Sequence, residues 1–500
     1  MSDFDPKAPV IVGVGEASKQ AMAADWTSPC VLASTATKVA LADSGQAAGL
    51  VEAVDCVAAI RTFEDSGVSM GTGSPDNAPD AYAKAAGLSP EKLIYADVGG
   101  QSPQGLVNDL AGALHRGEIQ AAVISGAEAM GSAKRARKEG RKLDWSAQSD
   151  HDFDNRLSDF PILSRAEIRH GIISMPLAYS LIENARRIER GLDADAYARE
   201  MAELWSAFSA KAGAREHAQF ARDWSAAELC DDANGNYQLT SVYRRWMVAQ
   251  DAVDVGAACI LTTAGKAREL GIADDRMVWL AGAGEAKEPP YSERSNLSGS
   301  DAQVFAVDAA LDQAGISASD LGPVDIYSCF PCAVFAAVDT MGIPGRDLGD
   351  YTLTGGLTFF GGPGNGYSLH SIAAMVQTLR KGGESAGMVT ANGGVMSKQA
   401  VGIYTAQQPG RPWSGEAATG YQAPKVDVNH APSGKAKILT HVRPIGRDGA
   451  GAATLIVELE NGSNGQNRAL AVLEGSPDAH LDHAIVEIAA GEKRHAATLV

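Results

Sequence analysis

At 500 residues the chain is longer than one hydrophobic core serves, and 45% hydrophobic and 21% charged residues, with 54 glycines and 21 prolines, describe a soluble, turn-rich globular protein of two or three domains. A formal net charge of −18 repels phosphate backbones and anionic lipid, and no basic block carries interleaved aromatics, so nucleic acid is not an expected partner. No apolar run is long enough to span a bilayer and the opening MSDFDPKAPV has neither the basic nor the apolar block of a signal peptide; the expectation is a cytoplasmic protein without a membrane span.

APVIVGVGEAS opens as a β-rich run ending in glycines, STATKVALADSG has helical spacing with a glycine stop, and EAVDCVAAIRT reads as a second strand. GVGEAS lacks the spacing and the acidic partner of a dinucleotide fingerprint. Residues 104–116 have the pattern of an amphipathic helix, and QAAVISGAEAM follows as a buried strand, as in a sheet covered on both faces. From residue 131 to 250 the texture turns to charged, Trp-containing helical stretches such as PLAYSLIENARRIERG and DADAYAREMAELWSAFSAKAG, read as a helical insertion. The α/β texture resumes at DAVDVGAACILTT. GPVDIYSCF, a helix, GGLTFFGGPGNGYS, a helix and GMVTANGGVMSKQAVGIYT then repeat the element order of the first block, and QAAVISGAEAM pairs with ESAGMVTANGGVM as a hint of internal duplication. Beyond residue 407 a Pro/Gly-rich linker leads into KAKILTHVRPI, ATLIVELE and NRALAVLE, with RDGAG and NGSNG as turns, which predicts a small all-β, barrel-like domain. The expected division is 1–130, 131–250, 251–407 and 408–500.

The six cysteines, Cys30, Cys56, Cys230, Cys259, Cys329 and Cys332, are too scattered for a disulfide framework and fit a reducing compartment. Cys329 and Cys332 share the stretch DIYSCFPCA at C-x-x-C spacing. No second pair and no histidines at matching spacing complete a zinc set, so no metal is expected. On residue type alone, Cys329 is a small buried hydrophobe at a strand end and Cys332 packs on the following helix. An anionic ligand needs a local basic patch or a helix N-terminus to overcome the global repulsion; the arginines of YRRW (Tyr243 to Trp246) and of RARKEGRK before Leu143 are candidates, with a solvated charged face as the plain alternative.

Four blocks in order, covering the chain up to about Thr405, resemble the thiolase superfamily. VGGQSPQGLVNDLAGALHRGEIQAAVISGAEAM resembles the segment in which a nucleophilic cysteine opens a buried helix and a strand ending in G-x-E-x-M follows. DIYSCF stands where thiolases have N-E-A-F, or H-D-C-F in the sterol-carrier-protein type; GGLTFFGGPGNGYS stands where they have G-G-x(n)-G-H-P, and TANGGVM where the classical enzymes have C-x-G. PLAYSLIENARRIERG and the appended β domain resemble the thiolase-like protein type 1 subgroup. The resemblance implies a duplicated, layered α/β core and an acetyl-CoA acetyltransferase-like activity in lipid metabolism. It also implies an acyl-CoA ligand entering between the helical insertion and the core, with coenzyme A as part of the substrate and no separate cofactor. In thiolases a cysteine thiolate attacks the acyl-CoA, a second cysteine moves protons, and the G-H-P histidine activates the nucleophile. Here those positions fall at Gly100, Ala391 and Gly362. Glycine supplies neither nucleophile nor proton, so ping-pong thiolase chemistry cannot run through residue 100.

Cys329 matches the acid/base cysteine of H-D-C-F, with Tyr327 in place of that motif's histidine. A related branch of thiolase-fold aldolases, which cleave a carbon–carbon bond in a β-hydroxyacyl-CoA, also lacks the nucleophile and uses tyrosines, one at a position like Tyr327. A phenol is a base only if its pKa comes down from about 10 or is matched to the leaving proton. Gln101 and Ser102 flank the vacated position; Ser102 matches the C-x-S signature and, as a helix-opening hydroxyl, is read as a cap. The loop GGPGNGYSLH runs into an apolar helix, so its backbone N–H groups suit an anion or oxyanion, with Asn365, Tyr367 and His370 as substitute donors and a simple tight turn as the alternative. With Gly100, Gly362 and Gly393 these residues form the expected substrate-binding set. Three functions stay open: acyl transfer or carbon–carbon cleavage by a nonstandard site, a catalytically silent CoA-binding protein, and a structural partner for another enzyme, as monomer or homodimer.

Overall fold

In the computed structural model, which describes residues 4–461, 467–475 and 479–500, strand β1 (Pro9–Ser18) is buried along its whole length. A Cβ on Gly13 or Gly15 would drive into the carbonyls of Ala40 and Ala36 on helix α1 (Pro29–Asp43), so the missing side chains let the helix lie directly on the strand. The chain continues through β2 (Cys56–Ala59), β3 (Lys92–Tyr95), helix α2 (Ser102–Arg116), β4 (Ala121–Ala129) and β5 (Asp154–Asn155). The helical insertion contributes α3 (Arg165–Arg169), α4 (Met175–Glu189) and α5 (Ala194–Ala212). Then come β6 (Asp254–Thr263), β7 (Val278–Lys287), α6 (Asp301–Ala314), β8 (Val324–Asp325), α7 (Pro331–Met341), α8 (Tyr367–Arg380), β9 (Ala386–Gly393) and β10 (Lys398–Thr405).

These strands join in the order β5-β3-β2-β4-β6-β1-β7-β10-β9-β8. The sheet is two copies of one motif meeting where β1 touches β7, at Val10–Trp279 and Ile11–Val278. Outward from that centre, β6 and β4 are antiparallel steps and β2 a parallel one; on the other side β10 and β9 are antiparallel steps and β8 a parallel one. The packing repeats as well. A Cβ on Gly282 or Gly284 of β7 would strike the carbonyls of Ala310 and Ala306 on α6, so GVGEA near the N-terminus and GAGEA in β7 solve the same contact. The expected duplication is present, but one boundary is corrected. Opening the second copy at residue 251 puts β6 in the wrong half, because β6 pairs with β1 and β4; the return of α/β texture there marks the end of the insertion.

Helices α2 and α8 fill the layer between the two half-sheets. Leu106 and Leu110 of the first and Ile372 and Val376 of the second share one buried cluster with Ile124 and Leu261 on one side and Leu280 and Val389 on the other. Both helices therefore begin at the middle of the molecule, which brings the loops before them together.

The C-terminal region runs through β11 (Gly434–Val442), the two-residue strands β12 (Ile445–Gly446) and β13 (Gly449–Ala450), which flank the turn at Arg447 and Asp448 within RDGAG, and then β14 (Ala453–Leu459), β15 (Arg468–Leu473), β16 (Ile485–Ala489) and β17 (Ala496–Leu499). Five of these strands close into a barrel in the order β11-β14-β15-β17-β16 around Ile438, Leu455, Val457 and Val486. The NGSNG turn, past Asn461, lies outside the described residues. The barrel seats on α4: Thr440 Oγ1 donates to the Leu181 carbonyl (2.7 Å), Asn184 Nδ2 donates to the His441 carbonyl (3.2 Å), and Arg187 pairs with Asp482 (2.5 Å). The arginine runs are used internally: Arg244 pairs with Asp232, Arg245 lies over Trp246, and Arg135 and Arg141 lie over Trp26. Among the described residues no helix is long and apolar enough to cross a membrane.

If the glycine contacts set the strand–helix distance, Gly15→Ala and Gly284→Ala each destabilise the protein by about 1–3 kcal/mol through overpacking. Gly410→Ala, where nothing lies within 4 Å of the added carbon, costs nothing measurable. Urea denaturation of the three variants checks this.

Candidate active site

Gly100 lies just before α2, and the space beside it is taken. A Cβ at this position would fall inside the van der Waals envelope of the Tyr327 hydroxyl and 2.6 Å from the Asn392 carbonyl oxygen. The volume that any side chain at residue 100 would need is filled by a phenol from the segment after β8. Its ring stands edge-on to Tyr367 with centroids 5.5 Å apart, and the Tyr327 N–H donates to Thr390 Oγ1 (3.0 Å). No hydrogen bond reaches the Tyr327 hydroxyl among the described residues, and burial, with Cys329 and Tyr367 adding to it, pushes the phenol well above its ordinary pKa. It is a neutral donor near pH 7, so the phenolate-base option loses its physical support.

Cys329 is buried two residues on. Its sulfur accepts a hydrogen bond from Asn392 Nδ2 (3.5 Å), and the same amide donates to the Tyr179 hydroxyl (3.1 Å). Burial pushes the Cys329 thiol up to about 12, outweighing the neighbouring Tyr179 and Asn392 side chains, which favour a thiolate. Tyr179 is fixed in turn: it donates to the Gly394 carbonyl (2.9 Å), accepts from the Met396 N–H (3.1 Å) and stacks on Phe330 at 4.0 Å. The helix after Cys329 is anchored by Glu183. That buried carboxyl accepts from the Tyr197 hydroxyl (2.6 Å), the Tyr243 hydroxyl (2.6 Å) and the Cys332 N–H (2.8 Å) at the start of α7. Cys332 packs here, its sulfur 3.8 Å from the Tyr243 hydroxyl.

Gly362 and Cys329 meet the same two-residue bridge. Ala249 N–H donates to the Cys329 carbonyl (3.0 Å), and Gly362 N–H donates to the Gln250 carbonyl (2.7 Å). The three expected substitute donors hold the framework instead. Asn365 accepts from Gly99 N–H (2.9 Å) and donates to the Arg61 carbonyl (2.7 Å) and Ser66 Oγ (3.1 Å), locking the two central loops together. The Tyr367 hydroxyl meets Thr354 Oγ1 (2.5 Å) and Asp325 Oδ1 (3.3 Å). His370 Nδ1 lies 2.7 Å from Glu16, which also pairs with Arg215 (2.7 Å); burial would raise Glu16, but the His370 hydrogen bond and the Arg215 charge outweigh it and hold the carboxyl at about 2.

Gln101 and Ser102 face the other way. The Gln101 side chain lies across Gly99 and Gly393, where a Cβ on either glycine would collide with it. Ser102 is the first residue of α2 and donates to the Asp97 carbonyl (2.6 Å), so it does not cap; Gln101 holds the cap position without a side-chain bond. Both line a cleft of about 620 Å³ with Asp97, Asp109, Lys287 and Lys398.

No protein-family profile and no curated protein sequence matches the chain. Among solved structures, the monomeric SCP2-thiolase-like protein type 1 of Mycobacterium smegmatis is 32% identical, with 99% of this chain and 100% of that one covered and a TM-score of 0.83. This chain belongs to the SCP2-thiolase-like family of the thiolase superfamily. The Ltp2-ChsH2(DUF35) aldolase (19% identity, 81% of this chain and 99% of that one, TM-score 0.58) and the dimeric peroxisomal thiolase of Saccharomyces cerevisiae (15%, 81% and 98%, TM-score 0.58) share the fold.

Within this SCP2-thiolase-like chain the pattern reading missed Tyr179, Glu183 and Asn392, which hold Cys329 and the start of α7 from sequence distances of more than 60 residues. Their only available signal was membership of the quoted blocks PLAYSLIEN and TANGG. It also passed over Glu128, in the GAEAM strand. That carboxyl accepts from Phe63 N–H (2.7 Å) and lies against Gly364 of the central loop, and burial, with Asp65, Asp251 and Glu64 adding repulsion, pushes it up to about 8.

Two outcomes follow for this SCP2-thiolase-like site. Gly100→Cys alone destabilises by about 1–3 kcal/mol, and Gly100→Cys with Tyr327→Ala loses less than the two single variants added together, because each change makes room for or fills the other. A double-mutant cycle by denaturation measures it. Glu128 keeps its proton in the folded state at pH values where the unfolded chain has lost it, so its contribution is full below the unfolded pKa near 4.5 and is lost as pH rises through about 8. Glu128→Gln removes that loss; unfolding midpoints from pH 5 to 9 should fall for the wild type and stay flatter for the variant.

Proposed function

We propose that the chain binds an acyl-CoA-type thioester and hydrogen-bonds its carbonyl through neutral donors, Tyr327 and Cys329, without forming an acyl-enzyme at residue 100. The observation behind this is the Tyr327 hydroxyl: it occupies the nucleophile's volume, carries a proton, and has no acceptor among the described residues. Donors in a buried site favour charge developing on a thioester oxygen, as occurs in both acyl transfer and carbon–carbon cleavage. Likeness to the acetyl-CoA acetyltransferase from Syntrophomonas wolfei (14% identity, 81% of this chain and 100% of that one, TM-score 0.59) and to the aldolase reaches the fold alone, so the choice between these reactions rests on substrate tests.

A second reading has its own support. Cleavage needs a base for the substrate hydroxyl, and the buried phenol and thiol are poor bases at neutral pH. Without one, the protein binds the thioester and does not turn it over.

The ligand route is proposed along the insertion. A cleft of about 300 Å³ between α4, α5 and the barrel is lined by Arg187, Arg199, Arg244 and Met247, and Glu183 on its wall bonds the start of α7. As the M. smegmatis relative is monomeric, we also propose a monomer here.

Calorimetry with CoA, acetoacetyl-CoA and β-hydroxyacyl-CoA, with products and intact protein followed by mass, tests the reading. Expected are binding, no acyl adduct on the protein, and binding weakened about tenfold, the scale of a lost hydrogen bond to a developing or partial charge, in Tyr327→Phe. Product formation that disappears in Tyr327→Phe or Cys329→Ala supports the catalytic form, and binding without product supports the silent form. A covalent acyl adduct, or no heat with any CoA compound, sinks the proposal; light scattering on the same samples should give one chain per particle.

A further inference from the structure

Helix α3, the linker residues Val428, Asn429 and His430, Leu470 on β15 and His495 just before β17 enclose a cavity of about 130 Å³ at the seam between the helical insertion and the barrel. Every ionisable group lining it is basic: Arg165, Arg169, His170, His430 and His495, in a chain with 61 acidic residues against 43 lysines and arginines. In such an acidic protein, a lining with no carboxylate among the described residues is a local inversion of charge. The side chains of Arg165 and His430 make no hydrogen bond or ion pair among the described residues.

The histidines add a second observation. His170 is fully used: its Nδ1 donates to the Ala166 carbonyl (2.7 Å) and its Nε2 accepts from the His495 N–H (3.1 Å). His495 is not. Its Nε2 faces the Arg169 guanidinium at 3.0 Å and its Nδ1 faces the Gly491 N–H at 3.3 Å. A neutral imidazole has one N–H and one lone pair, and arginine only donates. Whichever nitrogen of His495 carries the proton, that N–H is therefore aimed at another donor. An acceptor that bridges the guanidinium and the ring from the cavity side relieves the conflict, and an anion does so with charge assistance from the guanidinium.

We propose that this seam cavity binds a phosphate group, held by Arg165, Arg169, His430 and His495. The donors come from three walls, α3, the linker and the barrel loop, which suits a tetrahedral oxyanion better than a planar carboxylate. The volume is far below the roughly 300–1,000 Å³ of a cofactor-sized pocket, and is that of about four waters. Arg165, Arg169 and His430 are exposed, so the mouth is open and the remainder of a phosphate ester stays in solvent. The phosphate is either free or the end of a monoester. Since its walls belong to the insertion and the barrel, the bound group ties the two together and stabilises the folded chain by mass action.

The test uses the full chain with inorganic phosphate, β-glycerophosphate and sodium acetate at matched ionic strength and pH 7, read by phosphorus NMR titration and thermal unfolding. Saturable binding of at least one phosphate compound is expected, with Tm rising and acetate giving no rise, and Arg165→Gln and Arg169→Gln each weakening binding about tenfold or more. Arg165 has no partner to lose, so its variant reads the site even if Arg169→Gln folds poorly. Tighter binding of β-glycerophosphate assigns the site to an ester, and tighter binding of inorganic phosphate to the free ion. Equal stabilisation by acetate, binding of neither phosphate compound, or wild-type affinity in the Arg165 variant overturns the proposal.

Discussion

One volume at the centre of the molecule admits either a side chain at residue 100 or the hydroxyl of Tyr327, and in this chain the hydroxyl has it. The surrounding packing agrees with that choice. Asn365 locks the loop before α8 to the loop before α2, and Ser368 donates to the Gly100 carbonyl (3.1 Å), so the backbone at residue 100 has no freedom to swing away from the phenol. A thiolase centre needs a thiolate, hence a depressed thiol pKa and an open approach for the acyl group. Here burial acts in the opposite direction on both Tyr327 and Cys329, and the centre becomes a pair of protonated donors.

With glycine at residue 100, the scaffold around Tyr327 and Cys329 is still densely built. Asn392 contacts Cys329 and Tyr179 at once, Tyr179 closes onto the β9–β10 turn through Gly394 and Met396, and Ala249 and Gln250 tie Cys329 to Gly362. Buried polar groups that are each satisfied from several sides stabilise one arrangement over alternatives. The Tyr327 hydroxyl has no hydrogen bond among the described residues, and this contrast is what singles it out from the buried tyrosines at positions 179, 243 and 367.

Element type was legible in the sequence because period and length carry it: the buried strands around Val123 and Ile260, the amphipathic helix at residues 104–116 and the alternating strands of the barrel all form. Which strand lies beside which was not. β6 reads like any buried strand, and only its pairing with β1 and β4 assigns it to the first copy. The clearest mark of duplication, GVGEA against GAGEA, was visible but reads as flexible glycine until the helix carbonyls that require it are in view. At the site, motif position located Gly100, Tyr327, Cys329 and Gly362 together. It could not tell donor from scaffold, because Asn365, Tyr367 and His370 are distinguished from a free donor only by partners distant in sequence, Gly99, Asp325 and Glu16.

Helix α4 links the site to the barrel. Tyr179 and Glu183 are one helical turn apart, and they hold, respectively, the amide beside Cys329 and the first turn of α7. The adjacent Asn184, and Arg187 one turn beyond Glu183, reach the barrel at His441 and Asp482. A rotation of α4 that loosened the barrel would therefore also shift the groups flanking Cys329. Glu183 resists such rotation, since three donors from α5, the segment before β6 and α7 converge on one carboxyl in a medium where an unpaired oxygen is costly. The appended barrel is thus mechanically continuous with the centre of the core through α4.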